Sequence, residues 1–254
     1  MAMSSVCLAF GQGPLRFELK RFEKETRSCH VILEYPEITS AASPEARDRI
    51  NAGILKLLLR QNSWPASDSG SRSLEGYVNA FLRECVAEQD RPERHPLYMR
   101  KFVTIFRYTP PILSFKCEAD EDAGGAHPFG TVLFTNFEAG TGETIALRDV
   151  LKEGAFPQLR SLAEGIFRRE NKLSPRENLS ENGYTFPEDK FKLNDNFGFG
   201  EKSLVFLFNT YEIGPGAMPS TELTIDYASV RELLKPGLEL ALERWQSDKW
   251  VAGK

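Results

Sequence analysis

The sequence has 254 residues, of which 41% are hydrophobic and 27% charged, so it can bury a sizeable core and is not that of a disordered chain. Lys and Arg number 32 against 36 Asp and Glu, and the resulting net charge of −4 excludes the basic excess typical of nucleic-acid-binding proteins. No apolar run reaches the roughly 18 residues of a membrane-spanning helix, so we expect a globular chain without a transmembrane segment and without a nucleic-acid partner.

The first residues resemble the end of a secretion signal, because the apolar residues 6–10 precede a stretch that contains Gly and Pro. They lack the basic start and the full apolar length of a signal, so a start without structure is the alternative, and lipid attachment at Cys7 is another. We therefore divide the chain into an N-terminal segment, residues 1–27, which also holds a first strand, and one domain over residues 28–254.

Strands and two helices are predicted in the first part of that domain. Alternating residues predict strands within residues 17–35, the last of which ends at Pro36. Ser43 as N-cap and Pro44 as the next residue predict the start of a helix with apolar residues at helical spacing. After a Ser- and Gly-rich loop, residues 64–73, the pattern predicts a second amphipathic helix.

The rest of the chain alternates between groups of strands and helices. Strands are predicted at residues 98–108, 112–118, 130–137, 191–193, 204–213 and 222–227, and helices at residues 157–171, 230–234 and 238–250. Most strands are adjacent and joined by short links, whereas helices lie at the start, middle and end. This order favours an α+β fold with a largely antiparallel sheet and packed helices.

The four cysteines do not form a dense disulfide scaffold or a C-x-x-C pair. Cys85 lies on the apolar face of the second helix, where a packed thiol is favoured. Cys29 and Cys117 each lie in phase with the apolar residues of a strand. They are therefore either buried thiols or, if the protein is exported, a disulfide pair.

Sequence motifs for catalysis, metals and cofactors are absent. The sequence contains no dinucleotide or phosphate loop, no nucleophile elbow and no zinc-protease motif. His30, His95 and His127 lie far apart in the sequence, and the acidic run 120–122 lacks the ligand spacing of a calcium loop. We therefore predict no catalytic residue, no metal ligand and no cofactor.

A loop between two strands contains the first candidate binding residues. Gly124 and Gly125 allow positive φ angles, and Pro128 stiffens the exit, so the loop can hold one tight shape. His127 in this loop is suited to bind a partner, to ligate a metal or to act as an acid–base group. The alternative is a structural role, in which His127 hydrogen-bonds the backbone of its own loop.

The end of the strand at residues 204–213 contains the second group, because Asn209 and Glu212 break its alternation before a Gly-Pro turn. Polar residues at a strand end often form a site, although Asn and Glu there also satisfy loop backbone. The predicted binding residues are Gly124, Gly125, His127, Asn209, Tyr211 and Glu212.

These segments carry a resemblance to a known family. In chain order they are Tyr35-Pro36, Ile50-Asn51, Leu113-Ser114-Phe115, Gly124-Gly125-Ala126-His127-Pro128, Thr135-Asn136-Phe137, Thr141-Gly142, Ile145-Ala146-Leu147-Arg148-Asp149 and Phe208-Asn209-Thr210-Tyr211-Glu212-Ile213. Together they resemble the extracytoplasmic domain of uncharacterised function in lysozyme-sensing anti-sigma factors of the RsiV type. A related domain precedes the catalytic domain of peptidoglycan deacetylases of the PdaC type. The resemblance spans roughly residues 28–235.

The resemblance implies an α+β fold, export from the cytoplasm and a role at the cell envelope, with no established catalysis by this domain. Lysozyme recognition belongs to one branch only. The sequence shows no sigma-binding segment and no deacetylase domain, so we expect a stand-alone domain in the periplasm, secreted or anchored at the surface.

Three functions remain open from the sequence. The first is an exported domain that binds or senses an envelope glycan or a lysozyme-like protein. The second is a hydrolase of peptidoglycan or another glycan that uses His127 and a carboxylate such as Glu212. The third is a purely structural envelope protein. Binding is favoured over catalysis because no catalytic constellation is visible.

Overall fold

The computed structural model of the protein describes residues 3–6, 15–60, 72–87, 96–124, 127–236 and 238. The chain divides into two compact units. The first combines Met1–Ile105, Phe115–Leu133 and Ala139–Glu143, and the second combines Phe106–Ser114, Phe134–Glu138 and Thr144–Lys254. The assignment of residues 28–254 to a single domain stays a prediction.

Some predicted features lie outside the described residues. They are residues 7–10 of the signal-like run, most of the loop at residues 64–73, Gly125 and nearly all of the helix at residues 238–250. In the part of the chain that the structure describes, no helix is long and apolar enough to cross a membrane.

A six-stranded sheet with the order β1-β2-β3-β4-β5-β6 dominates the first part of the fold. Its strands are β1 (Met3–Val6), β2 (Arg16–Glu25), β3 (Cys29–Ser40), β4 (Leu97–Thr109), β5 (Ile112–Asp122) and β6 (Phe129–Glu138), and two helices, α1 (Pro44–Leu59) and α2 (Leu74–Ala87), lie between β3 and β4 in the chain. β2 pairs antiparallel with β1 and β3, whereas β3 and β4 are parallel because the two helices form the crossover between them.

The second unit contains a three-stranded antiparallel sheet with the order β7-β8-β9. Its elements are α3 (Leu147–Val150), α4 (Phe156–Glu170), β7 (Phe197–Phe199), β8 (Ser203–Phe208), β9 (Thr221–Asp226) and α5 (Tyr227–Val230). With mostly antiparallel strands and helices packed on the sheets, the α+β class predicted from the sequence is confirmed.

The two predicted helix starts are confirmed by their caps. The Ser43 hydroxyl accepts a hydrogen bond from the Ala46 N–H at 3.1 Å, and Pro44 begins α1. The Ser73 hydroxyl accepts from the Gly76 N–H at 3.1 Å just before α2. Both serines thus satisfy a backbone donor that the first helical turn leaves without a partner.

β3 continues past Pro36, where the sequence predicted its end. β3 pairs with β4 only as far as Glu34. Beyond that point, Asn51 of α1 bonds the edge of β3 that β4 no longer covers. The Asn51 side chain donates to the Ile38 carbonyl at 2.9 Å and accepts from the Ile38 N–H at 2.8 Å. Pro36 lies two residues before Ile38, so its nitrogen also points away from β2 and its missing N–H removes no bond between β2 and β3.

The disulfide of the first unit joins Cys29 to Cys85, with Cα atoms 5.9 Å apart. The alternative that pairs Cys29 with Cys117 is therefore wrong, and so is the prediction of a packed thiol at Cys85, whereas the alternative of a buried thiol is confirmed for Cys117. Cys117 is a free, buried cysteine. Cys29 and Cys85 belong to the same apolar cluster between β3 and α2, which places the two sulfur atoms face to face.

We predict that Cys29→Ser together with Cys85→Ser lowers the free energy of unfolding by about 4 kcal/mol. The bond closes a loop of 56 residues, so its loss returns a large conformational entropy to the unfolded chain. Urea unfolding of the double variant and of the oxidised wild type measures the difference. Cys117→Ala is the control because it keeps the disulfide. Dithiothreitol should therefore lower its free energy of unfolding, but should not change that of the double variant.

Lys101 of β4 is a fully buried lysine that sequence analysis did not single out. It occupies an inward position in the alternation of β4, two residues after buried Met99, and this alternation was the available signal. Its ammonium donates to the Leu58 carbonyl at 2.9 Å, to the Arg60 carbonyl, and to the Tyr77 hydroxyl oxygen at 2.6 Å. An ammonium has three N–H donors, so these three acceptors satisfy it completely.

Burial lowers the pKa of Lys101 to about 8, because desolvation disfavours the ammonium more than Cys117 and Glu121 favour it. The unfolded chain holds the same proton up to its ordinary pKa of 10.5. Unfolding therefore takes up a proton above the folded pKa, and the Lys101 contribution to stability rises with pH. Burial also raises the pKa of Cys117 to about 11. The contribution of Cys117 to stability therefore falls as pH rises, beginning near its ordinary pKa of 9.

We predict that the contribution of Lys101 to the free energy of unfolding increases by about 1 kcal/mol from about pH 7 to about pH 9. The check is urea unfolding of the wild type and of Lys101→Met at both ends of this range. Because every other group titrates in both proteins, the difference between their pH dependences isolates Lys101. Identical pH dependences would contradict the prediction.

The second unit has its own apolar core, which is rich in aromatic side chains. Phe167 of α4 contacts Tyr184, Phe186 and Phe191 with ring centroids 4.9, 5.6 and 5.2 Å apart. Phe191 also lies 6.2 Å from Phe208 at the end of β8. α4 thus packs its apolar face against the segments that lead into and out of the small sheet.

The predicted strand at residues 191–193 does not form, and β7 lies later, at Phe197–Phe199. Phe191 and Leu193 are buried as their alternation implied. The following Asn194 and Asn196 donate through their side chains to the Leu207 carbonyl at 2.8 and 2.9 Å. Side-chain amides therefore occupy a backbone acceptor of β8 before β7 begins.

Buried polar side chains hold β7 in the second unit. The Ser114 hydroxyl donates to Asn136 Oδ1 at 2.6 Å, and the Asn136 side chain donates to the Phe197 carbonyl at 2.8 Å. The Phe199 N–H donates to Ser114 Oγ at 3.4 Å. Ser114 and Asn136 belong to the segments that carried the family resemblance, and in this structure they anchor backbone.

Candidate functional site

The predicted site at the end of β8 is a tight turn rather than a continuing strand. β8 ends at Phe208, so the strand predicted up to Ile213 is five residues shorter. The Glu212 N–H donates to the Asn209 carbonyl at 3.0 Å, which closes the turn. Between them, Tyr211 has a φ of 69°, in the left-handed region. We call residues Asn209–Met218 the Tyr211 turn.

Glu212 supports this turn with both carboxylate oxygens. Oε2 accepts from the Asn209 N–H at 2.9 Å, and Oε1 accepts from the Asn194 side chain at 2.6 Å. Asn194 also donates to the Leu207 carbonyl of β8, so it connects the turn to the sheet. The structure therefore brings Asn209, Tyr211 and Glu212 together in one hydrogen-bonded unit.

The ring of Tyr211 lies over Gly216, on the far side of the turn. A Cβ atom at Gly216 would lie 2.0 Å from Tyr211 Cζ, a distance that no real contact shows. Gly214 is restricted in the same way, because its Cβ would lie 2.7 Å from Met218 Sδ. The two glycines that follow Tyr211 thus leave room for the side chains that close the turn.

This arrangement presents an aromatic side chain on a constrained backbone. A left-handed φ costs a tyrosine of the order of 1–2 kcal/mol, and such outliers persist where the surroundings hold them. Here the surroundings are the Glu212 hydrogen bonds and the contact with Gly216. A half-buried tyrosine held in this way offers a ring face and a hydroxyl to a ligand at a small ordering cost.

The other predicted site residues lie in the turn between β5 and β6, in the first unit. Gly124 has the predicted positive φ, 87°, and its N–H donates to Asp122 Oδ1 at 2.9 Å. His127 is exposed. The predicted residues thus form two groups, one in each unit, and the binding role of Gly124, Gly125 and His127 stays a prediction.

Chemical groups for metal binding do not converge in the described residues, where no three His, Cys, Asp or Glu side chains form a cluster that could hold an ion. The residues that sequence analysis missed are Asn194, Asn196 and Gly216. For Asn194 and Asn196, the only available signal was their spacing between buried Leu193 and Phe197. Gly216 follows the Gly-Pro pair that marked the turn.

Comparison with known proteins gives the family context of this fold. Residues 148–228 match the model of a family described as "Protein of unknown function (DUF3298)". This range includes the Tyr211 turn. Among curated proteins, none matches the sequence.

Two solved structures described as DUF3298 proteins share the fold. A member of the DUF3298 family from Bacteroides fragilis has a TM-score of 0.71 and 16% identity, covering 93% of this chain and 99% of its own. A DUF3298 family protein from Pseudomonas aeruginosa has a TM-score of 0.64 and 16% identity, covering 90% of this chain and 97% of its own. At this identity the likeness shows the fold alone, and that fold is the one of DUF3298 proteins.

We predict that Glu212→Gln lowers the free energy of unfolding by about 1–2 kcal/mol. Gln has one acceptor oxygen and one NH2 group, so either the Asn209 N–H or the Asn194 side chain would face a donor. Thermal and urea unfolding measure the loss. Glu222→Gln in β9 is the matched control, because Glu222 is exposed and its change should stay within about 0.5 kcal/mol. Equal effects of the two substitutions would refute the supporting role of Glu212.

Proposed function

We propose that the chain is an exported binding or sensing domain of the cell envelope, and that the Tyr211 turn contacts an envelope glycan. The observation that carries the proposal is Tyr211, an aromatic residue kept at a φ of 69° by Glu212 and Gly216. Tyrosine and tryptophan dominate recognition surfaces because they combine a large apolar face with a polar edge and few rotatable bonds.

Sugar rings offer the complementary chemistry. The apolar face of a pyranose packs on an aromatic ring, and its hydroxyls bond polar groups at the rim. Asn209 and Tyr211 carry such groups within one turn, and Glu212 bonds the Asn209 N–H. The rigid turn thus gives a fixed surface rather than a catalytic pair.

Location outside the cytoplasm is supported by the Cys29–Cys85 disulfide, since disulfides persist in oxidising compartments. It is also supported by the resemblance of the sequence to the extracytoplasmic domain of RsiV-type anti-sigma factors and the related domain of PdaC-type deacetylases. A lysozyme-like protein as the ligand is the alternative that this resemblance favours, and it forms one arm of the test.

We predict that Tyr211→Gly reduces the affinity for N-acetylglucosamine oligomers or purified muropeptides at least about tenfold, with stability changed by no more than about 1 kcal/mol. Glycine adopts a left-handed φ without strain, so the substitution removes the aromatic face while the turn remains. Titration calorimetry measures binding, and thermal unfolding measures stability.

The matched control is Phe156→Ala, which removes another aromatic side chain of the second unit that is 43% exposed, and it should leave binding unchanged. If the Tyr211→Gly variant keeps the wild-type affinity, the Tyr211 turn is not the contact with the glycan. Binding only to a lysozyme would replace the glycan as ligand. Sugar products detected by mass spectrometry, and lost in His127→Ala or Glu212→Gln, would replace binding with hydrolysis.

A further inference from the structure

One face of the sheet in the first unit carries an arginine stacked on a tyrosine. Along β4, Leu97 and Met99 pack in the apolar cluster with α2. Because strand side chains alternate, Tyr98, Arg100 and Phe102 lie on the opposite face. The helices therefore cover one side of β4, and Arg100 is exposed on the other.

The guanidinium of Arg100 lies over the ring of Tyr98. Its Cζ lies 4.5 Å from the centroid of the Tyr98 ring. The Tyr98 hydroxyl donates in turn to Asp120 Oδ1 at 3.4 Å, which restrains the ring. A stacked guanidinium keeps its N–H groups in its own plane, pointing outward along its edges.

On β2 and β3, the charges of this face bind one another, whereas Asp120 of β5 accepts from Tyr98. Arg21 lies 2.9 Å from Glu23 and 3.0 Å from Glu34, and His30 lies 3.1 Å from Glu23. Among the residues that the structure describes, no carboxylate forms an ion pair with Arg100. Arg100 therefore lies over Tyr98 and has no ion-pair partner among these residues.

Apolar side chains flank the arginine. Ile32 of β3 is its register partner across the parallel pair, and Phe102 is the next residue on the same face of β4. Both are half-buried. They offer an apolar surface beside the charge.

We propose that Arg100 binds the terminal carboxylate of a short peptide with small apolar side chains, which pack on Ile32 and Phe102. A carboxylate matches the planar guanidinium with two parallel hydrogen bonds. The apolar flanks favour a peptide terminus over a sugar acid, because a sugar carries hydroxyl groups next to its carboxylate. The inference does not rest on the proposed function, since the Tyr211 turn belongs to the second unit.

The test is an NMR titration of the isotope-labelled full chain with N-acetyl-trialanine and, separately, with its C-terminal amide. The two probes differ only in the charge of the terminus. We expect shift changes in β3 and β4 with a dissociation constant on the order of millimolar for the acid, and at least about tenfold weaker binding of the amide.

Variants then assign the contact. Arg100→Gln should abolish binding of the acid, and Arg100→Lys should weaken it several-fold because lysine keeps the charge and loses the planar fork. Arg21→Gln is the matched control, because Arg21 is a partly exposed arginine of the same face whose loss should leave the affinity unchanged. Unchanged spectra away from β3 and β4 confirm that each variant is folded.

Three results would overturn the proposal. They are equal binding of the acid and the amide, unaltered binding in Arg100→Gln, and binding of N-acetylmuramic acid without binding of the tripeptide. The Tyr211→Gly substitution should not change binding of the tripeptide at Arg100, so the two proposals can be refuted independently.

Discussion

The Leu58 carbonyl in the last turn of α1 is buried and lies within hydrogen-bond distance of Lys101 in β4. A helix leaves its last carbonyls without partners inside the helix, and a buried carbonyl without a donor costs free energy. Lys101 supplies that donor to the Leu58 and Arg60 carbonyls, and the Tyr77 hydroxyl of α2 accepts its third N–H. One buried charge thus joins the end of one helix, the next helix and the sheet, at the expense of its own hydration.

The same requirement governs the ends of strands. Where β3 loses β4 as a neighbour, Asn51 bonds both the N–H and the carbonyl of Ile38, as a neighbouring strand would. In the second unit, Asn194 and Asn196 both donate to the Leu207 carbonyl near the end of β8. Asparagine serves here because its side-chain amide has the donor and acceptor of a peptide group.

The use of side chains as partners for backbone groups explains which parts of the fold could be predicted from the sequence. Helix starts were predictable because Ser43 and Ser73 act on donors three residues away, within a local pattern. The extension of β3 beyond Pro36 was not, because it depends on Asn51, which is distant in sequence. The partner of Cys29 was missed for a similar reason: alternation indicates burial of Cys85 and Cys117 alike, but only the packing of α2 on β3 decides which sulfur faces it.

At the candidate site, sequence analysis found the residues but not the division of roles between Tyr211 and Glu212. Both carboxylate oxygens of Glu212 accept N–H groups that hold the turn. A general acid must carry a proton on one of those oxygens, and here that proton would face the Asn209 N–H or the Asn194 side chain and open the turn. Acid–base catalysis by Glu212 and its support of the turn are therefore opposed, and this opposition is why we propose Tyr211, rather than Glu212, as the residue that contacts a ligand.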